Sequence, residues 1–112
     1  VLYVGDSITD VEAFDLVRRG GGITISFNGN RYALRSAEIA CLSPDASILS
    51  ILAEAFRKGG REGLMERVTH WVPGSEGYPK IYHIDNENRE KLIQESEAFR
   101  KQVRGVAIGS MG

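Results

Sequence analysis

The sequence predicts an α/β fold, a partial parallel sheet flanked by helices and followed by a helical extension. Three observations predict it. Short β-rich runs alternate with helical periodicity through the first half of the chain. The first of those runs delivers two acids, Asp6 and Asp10, into a strand-to-helix turn. Glycine or proline marks most changes of period, as expected where one element stops and another starts.

The elements follow in order. Residues 1–4 (VLYV) form a short apolar strand, and Gly5 ends it with a sharp turn. From Asp10 a helix begins, with Val11, Phe14 and Val17 on one face and Glu12, Asp15, Arg18 and Arg19 left polar. Gly20, Gly21 and Gly22 stop it, as glycines past a helix C-terminus do. ITISF, residues 23–27, is a second strand rich in β-branched residues, ending in the turn signal Asn28-Gly29-Asn30. Residues 32–37 suit one or two helical turns, and 39–42 a third strand closed by Ser43-Pro44. Asp45 is placed to cap a helix over about 46–58, with Ile48, Leu49, Leu52, Ala55 and Phe56 as its buried stripe. Strands alternating with helices imply a parallel sheet.

The second half is organised differently. Gly59-Gly60 breaks the helix, and Leu64, Met65, Val68 and Trp71 make another apolar stripe over 61–72. VPGSEGYPK reads as a connector. Asp85 or Asn86 caps a last amphipathic helix to about Arg104, with Leu92, Phe99 and Val103 on one face and Glu90, Lys91, Glu95, Glu97, Arg100 and Lys101 as a solvated face. The tail from Gly105 offers one short strand, 106–108. The expected division is therefore 1–58 for the α/β core and 59–112 for the helical extension.

Composition bounds the function classes. The chain has 112 residues, 14 basic and 15 acidic, a net charge of −1 and 42% hydrophobic residues. That is enough for one modest core, and it leaves no electrostatic footprint for nucleic acid or an anionic membrane. No long apolar run or signal peptide is present, so a cytoplasmic location is expected. The single cysteine, Cys41, lies in an apolar strand and is expected to be buried. His70 and His83 have no His or Cys partner at metal-ligand spacing and are read as structural. Trp71, Tyr78 and Tyr82 are read as cover for a core.

The chemistry concentrates at Asp6 and Asp10. A strand whose carboxyl end delivers acids into a strand-to-helix loop is where open α/β sheets place ligand sites. Two acids with the hydroxyls of Ser7 and Thr9 make hard oxygen donors, the type Mg²⁺ takes. The bland reading of the same spacing is that Thr9 or Asp10 is the N-cap of the following helix.

GDSITDVEAF, then GGITISFNGN, then LRSAEIACLS, over roughly residues 1–56, resembles the C-terminal part of the Rossmann-like core of the haloacid dehalogenase (HAD) superfamily. The family's fourth motif is a strand ending in G-D-x-x-x-D or a close variant, followed by a helix, a short strand, a polar turn and another strand. The FNGN turn also looks like archaeal phosphatase-like members. The resemblance implies that Asp6 is a direct Mg²⁺ ligand and that Asp10 binds the same ion directly or through water. It also implies that Ser7 lines the site and that Asn28 sits at its rim. It implies a phosphomonoesterase acting on a phosphorylated small molecule through an aspartyl-phosphate.

The departures are equally specific. The family's nucleophile is the first Asp of a D-x-D motif upstream of the acidic motif, and no D-x-D occurs in these 112 residues. The chain is therefore expected to be a fragment or split subunit that is inactive alone. Its partner is expected to be its own N-terminal half, or a second copy paired through the exposed edge of the first strand, residues 1–5 (VLYVG). An alternative is a non-catalytic HAD-like accessory subunit. A second is a GDSL-type (SGNH) esterase with Ser7 as nucleophile. That family carries D-x-x-H near its C-terminus, and no such pattern is found here.

Overall fold

The computed structural model describes residues 1–111, with side chains through Val103. The elements run β1 (Leu2–Gly5), a 3-10 turn (Ile8–Asp10), α1 (Val11–Arg19), β2 (Ile23–Phe27), α2 (Arg31–Ser36), β3 (Ile39–Leu42), α3 (Ser47–Thr69), β4 (Lys80–His83) and α4 (Arg89–Met111). The sheet order is β1-β2-β3-β4. The first three strands are parallel and β4 is antiparallel to β3. The fold is α/β, a mostly parallel four-stranded sheet with helices on both faces.

Strand alternation builds the two cores. Ile23, Ile25, Ile39, Cys41 and Ile81 point to one face, where Ile48, Leu52, Leu64 and Val68 of α3 cover them. Ala40 points to the other face, against Phe14 of α1, Ala33 and Leu34 of α2, and Leu92 and Ile93 of α4. All four residues of β3 are buried, as suits a central strand. Burying a branched side chain of this size contributes about 1.5–3 kcal/mol, so the Ile-rich strands carry much of the stability.

Caps fall where the local chemistry puts them. Asn30 Oδ1 accepts from the amides of Tyr32 and Ala33 at 3.1 and 3.2 Å and starts α2. The N-cap of α3 is Ala46 rather than the expected Asp45, whose carboxylate instead takes the Ser47 amide at 2.9 Å in the turn just ahead of the helix. Gly60, with φ 63° and ψ −152°, kinks α3 into two limbs. That left-handed φ is one a side chain rarely adopts, which explains the glycine. Each limb then sends an i,i+4 pair into the same core, Ile48 with Leu52 and Leu64 with Val68.

The half after residue 58 is more than helical. KIYH forms β4, which pairs Ile81 with Cys41 and Lys80 with Leu42. Residues on both sides of the expected 58/59 division therefore share one sheet and one core. Trp71, Tyr78 and Tyr82 do cover it. Trp71 Nε1 donates to the Pro79 carbonyl at 2.8 Å, and Tyr78 stacks on Phe99 with ring centres 4.6 Å apart. Tyr82 packs against the second core cluster. The last helix continues past Arg104, so residues 106–108 lie inside α4 rather than in a strand. A backbone already engaged in the helical ladder has no groups left for a sheet. Among the described residues no helix is long and apolar enough to cross a membrane.

Candidate functional site

The loop after β1 is organised by Asp10. Its Oδ2 accepts the amide of Asp6 at 2.8 Å and that of Ser7 at 3.1 Å, and its Oδ1 accepts the Tyr3 hydroxyl at 2.9 Å. An acid reaching back to amides at the start of its own turn is a capping arrangement. These donors hold the Asp10 carboxyl below the usual carboxylate range, the Asp6 amide contributing most. Reciprocally, the carboxylate pushes the Tyr3 phenol up. Gly5 is required here: a Cβ at this position would lie 2.4 Å from Asp10 Cγ. Asp10, whose carboxylate sits under the loop, thus sets the loop's shape.

Asp6 is held differently. Its amide is spent on Asp10, but its carboxylate points outward, with 53% of the side chain exposed. Ser7 Oγ lies 2.8 Å from Thr9 Oγ1, and the two hydroxyls satisfy each other at the rim. The first strand therefore presents one open carboxylate at its carboxyl end, and that carboxylate is Asp6.

The FNGN loop lies alongside. Asn28 adopts φ 49°, a left-handed conformation that Asn tolerates better than most residues. Its side chain bridges to the end of β3, with Nδ2 donating to the Ser43 carbonyl at 2.8 Å and Oδ1 accepting the Ser43 amide at 2.9 Å. The amide of Asn30 donates to the Asp6 carbonyl at 3.0 Å. The Asn28 side chain is consumed as a clamp between β2 and β3, and its backbone carbonyl faces the site.

Helix α4 supplies what local sequence reading missed. Arg100 Nη1 donates to the carbonyls of Asp6 at 2.6 Å and Asn28 at 3.3 Å, and it lies 3.5 Å from Asp6 Oδ2. One turn earlier, Ser96 Oγ donates to the Gly29 carbonyl at 2.6 Å. Glu97 takes the Arg31 amide at 3.0 Å and its guanidinium at 3.1 and 3.2 Å. Arg100 and Glu97, read as solvated, in fact stitch α4 to the loops of β1 and β2. The available signal was Ser96, a small polar residue spaced four from Leu92 and three from Phe99 on the buried face.

Asp6, Phe27, Asn28, Arg100 and Val103 line a cleft of about 170 Å³. Small-molecule pockets are usually about 300–1,000 Å³, so this cleft does not enclose a substrate by itself. It adjoins a groove of about 570 Å³ that shares Arg100 and adds Arg31 and Lys101. Among the described residues, no group of three or more His, Cys, Asp or Glu gathers at metal-binding distance. Of the two acids expected to hold Mg²⁺, Asp10 has its carboxylate taken up by Tyr3, Asp6 and Ser7, while the Asp6 carboxylate lies 3.5 Å from Arg100 Nη1. His83 pairs with Ile39 at the start of β3, the end of the sheet away from Ser7. His70 ends α3.

Comparison with known proteins places the fold. No family model matches the chain, and no curated protein sequence does. A solved structure does match, that of gene product AF1437 from Archaeoglobus fulgidus. The identity is 33% and the TM-score 0.80, over 93% of this chain and 32% of that one. The chain thus spans about a third of the length of this relative.

Proposed function

We propose that the chain is the acid-bearing part of a HAD-like hydrolase core, completed by a nucleophile-bearing strand outside these 112 residues, and that the assembled site hydrolyses a phosphomonoester. The observation that carries this reading is Asp6. It is an exposed carboxylate held at the carboxyl end of a parallel strand by a loop built on Asp10, Gly5 and Tyr3. β1 is the edge of the sheet, which gives a further strand a place to pair beside Asp6. The adjoining groove adds Lys101 and Arg100 as cations for a phosphorylated substrate, beside an Arg31 already paired with Glu97.

In this reading Asp6 would hold Mg²⁺, and the bound ion would neutralise phosphoryl charge during attack. Asp10 holds the loop that carries Asp6 through the amides of Asp6 and Ser7. Ser7 and the Asn28 carbonyl stand at the rim, and Arg100 contributes positive charge beside Asp6. A free buried thiol, Cys41, suits the reducing cytoplasm in which we place the assembled enzyme.

The test is to co-express the chain with a polypeptide carrying a D-x-D strand from its own gene neighbourhood and assay p-nitrophenyl phosphate. Mg²⁺-dependent turnover lost with Asp6→Asn supports the reading, and an inactive but stable complex refutes it. A second reading, a HAD-like accessory subunit without chemistry, is favoured by one observation: the Asp6 carboxylate already faces a cation of its own chain, Arg100. A stable complex with no turnover is its expected outcome.

A further inference from the structure

Helix α3 carries a pattern that the acid loop does not use. Ile51, Ala55 and Gly59 are spaced four apart on its first limb, and Gly63, Arg67 and Trp71 continue that spacing along the second and just past it. All six border one trough, made of neighbouring depressions of about 620, 410 and 320 Å³ that share Arg67. Rows spaced four apart are the ridges against which another helix packs. The buried residues of α3 face the sheet, on the face opposite α4, so the trough lies well apart from Asp6.

The row is not used up by the fold. Ile51 and Val72, at its two ends, are 41% and 78% exposed. A Cβ on Gly59 would meet nothing within 4 Å, and its φ is not left-handed. Neither packing nor backbone geometry requires a glycine there, and glycine weakens a helix. Gly63 differs, because its Cβ would lie 3.2 Å from the Ala55 carbonyl oxygen where the two limbs meet. The Arg67 guanidinium lies 5.5 Å from the centre of the Trp71 ring and has no acidic partner among the described residues. Lys58 at the rim is 3.6 Å from Glu54, which Arg57 already holds at 2.5 Å, and Glu66 is the other acid bordering the trough.

We propose that this trough is a docking groove for an amphipathic helix of a partner polypeptide, which lays an apolar stripe along Ile51, Ala55 and Gly59 and sets a carboxylate opposite Arg67. A helix fits because both walls are four-spaced rows and their small residues let a backbone come close. A carboxylate fits because Arg67 is the cation left without an acid, and Arg beside Trp is the composition that anchors interfaces. The proposal is independent of the acid-loop reading, and either can fail without the other.

Trp71 is the single tryptophan of the chain, so its fluorescence reports on the trough. The 112-residue chain is titrated with two peptides of about 20 residues, long enough to be helical, that share a leucine stripe and are flanked by Glu in one and Lys in the other. The Glu peptide should shift Trp71 emission saturably and bind on the order of tenfold tighter than the Lys peptide, with the gap narrowing as salt rises. Gly59→Gln fills the trough with a better helix former and should abolish binding while melting no lower than the parent. Should it melt lower, Ile51→Glu at the exposed end carries the same expectation. Arg67→Gln should erase the preference for the Glu peptide. Equal binding of the two peptides, no response to either, or a response that survives both Gly59→Gln and Ile51→Glu overturns the proposal. A shift with phosphatidylglycerol vesicles and none with peptide overturns it too, since the occupant is then a lipid surface.

Discussion

The hydroxyl of Tyr3 and the carboxylate of Asp10 meet at 2.9 Å across seven residues, joining the middle of β1 to the turn that follows it. The Tyr3 ring also meets Phe14 edge-on, with centres 5.5 Å apart and planes at 89°. Strand, loop and first helix are therefore one unit, and Asp6 is displayed from it.

Replacing Tyr3 by Phe tests that unit. The ring contact with Phe14 survives, while Asp10 Oδ1 loses its donor. The expected loss of stability is about 0.5–1.5 kcal/mol, the net value of one such hydrogen bond. Urea unfolding of the two proteins measures it, and an unchanged midpoint would show that the bond contributes nothing.

Acid should weaken the fold through Asp10. Its folded-state carboxyl lies below the ordinary value of 3.8, so the unfolded chain takes up the proton first. The stabilisation is complete above that ordinary value and is lost as pH falls through the folded one. Asp10→Asn should therefore be destabilising at neutral pH, and its penalty should shrink in acid. Thermal melts of both proteins from about pH 2 to 7 decide the matter. A penalty independent of pH would refute the assignment.

Gly5→Ala places a methyl group where Asp10 already sits, 2.4 Å from its Cγ and 2.7 Å from its Oδ2. Asp10 must move, taking its contacts to Asp6 and Ser7 with it. Overpacking of this kind costs about 1–3 kcal/mol. The Asp6 and Ser7 amide shifts should change together, and shifts that stay at their parent values would contradict the crowding.

The outer edge of β1 carries a fourth expectation. Among the described residues no strand pairs beyond β1, while Leu2 and Val4 pack against the core and Val1 is 80% exposed. An apolar strand edge is a template for another strand. The chain should associate through it, with itself or with a completing segment. Sedimentation that finds only monomer at tens of micromolar, together with slow amide exchange along β1, would sink this idea.

The parallel core was legible because its signals are local. ITISF and residues 39–42 are β-branched or apolar runs bounded by turn residues, and both are strands at the predicted positions. Gly60 announced a break by its own chemistry, and Asn30, read only as part of a turn, proves also to cap α2. β4 was not legible. KIYH is four residues long and begins straight after Pro79, and it becomes a strand only because β3 offers an edge. Asp6 and Asp10 stood out by spacing, yet spacing does not say which carboxylate faces out and which turns inward under Gly5. Arg100 had no local signature at all, since its partners lie 94 and 72 residues away.

That separation governs how the molecule assembles. The loop displaying Asp6 can form early, from contacts seven residues apart or less. Its counter-charge arrives only when the last helix docks, and the β3 edge, where every residue is buried, waits for residues 80–83. Contacts so distant along the chain form late and slowly. During synthesis the acidic loop therefore precedes its own neutralising partner by most of the chain. For that interval Asp6 is a bare carboxylate beside an uncovered strand, open to any cation or chain that reaches it first.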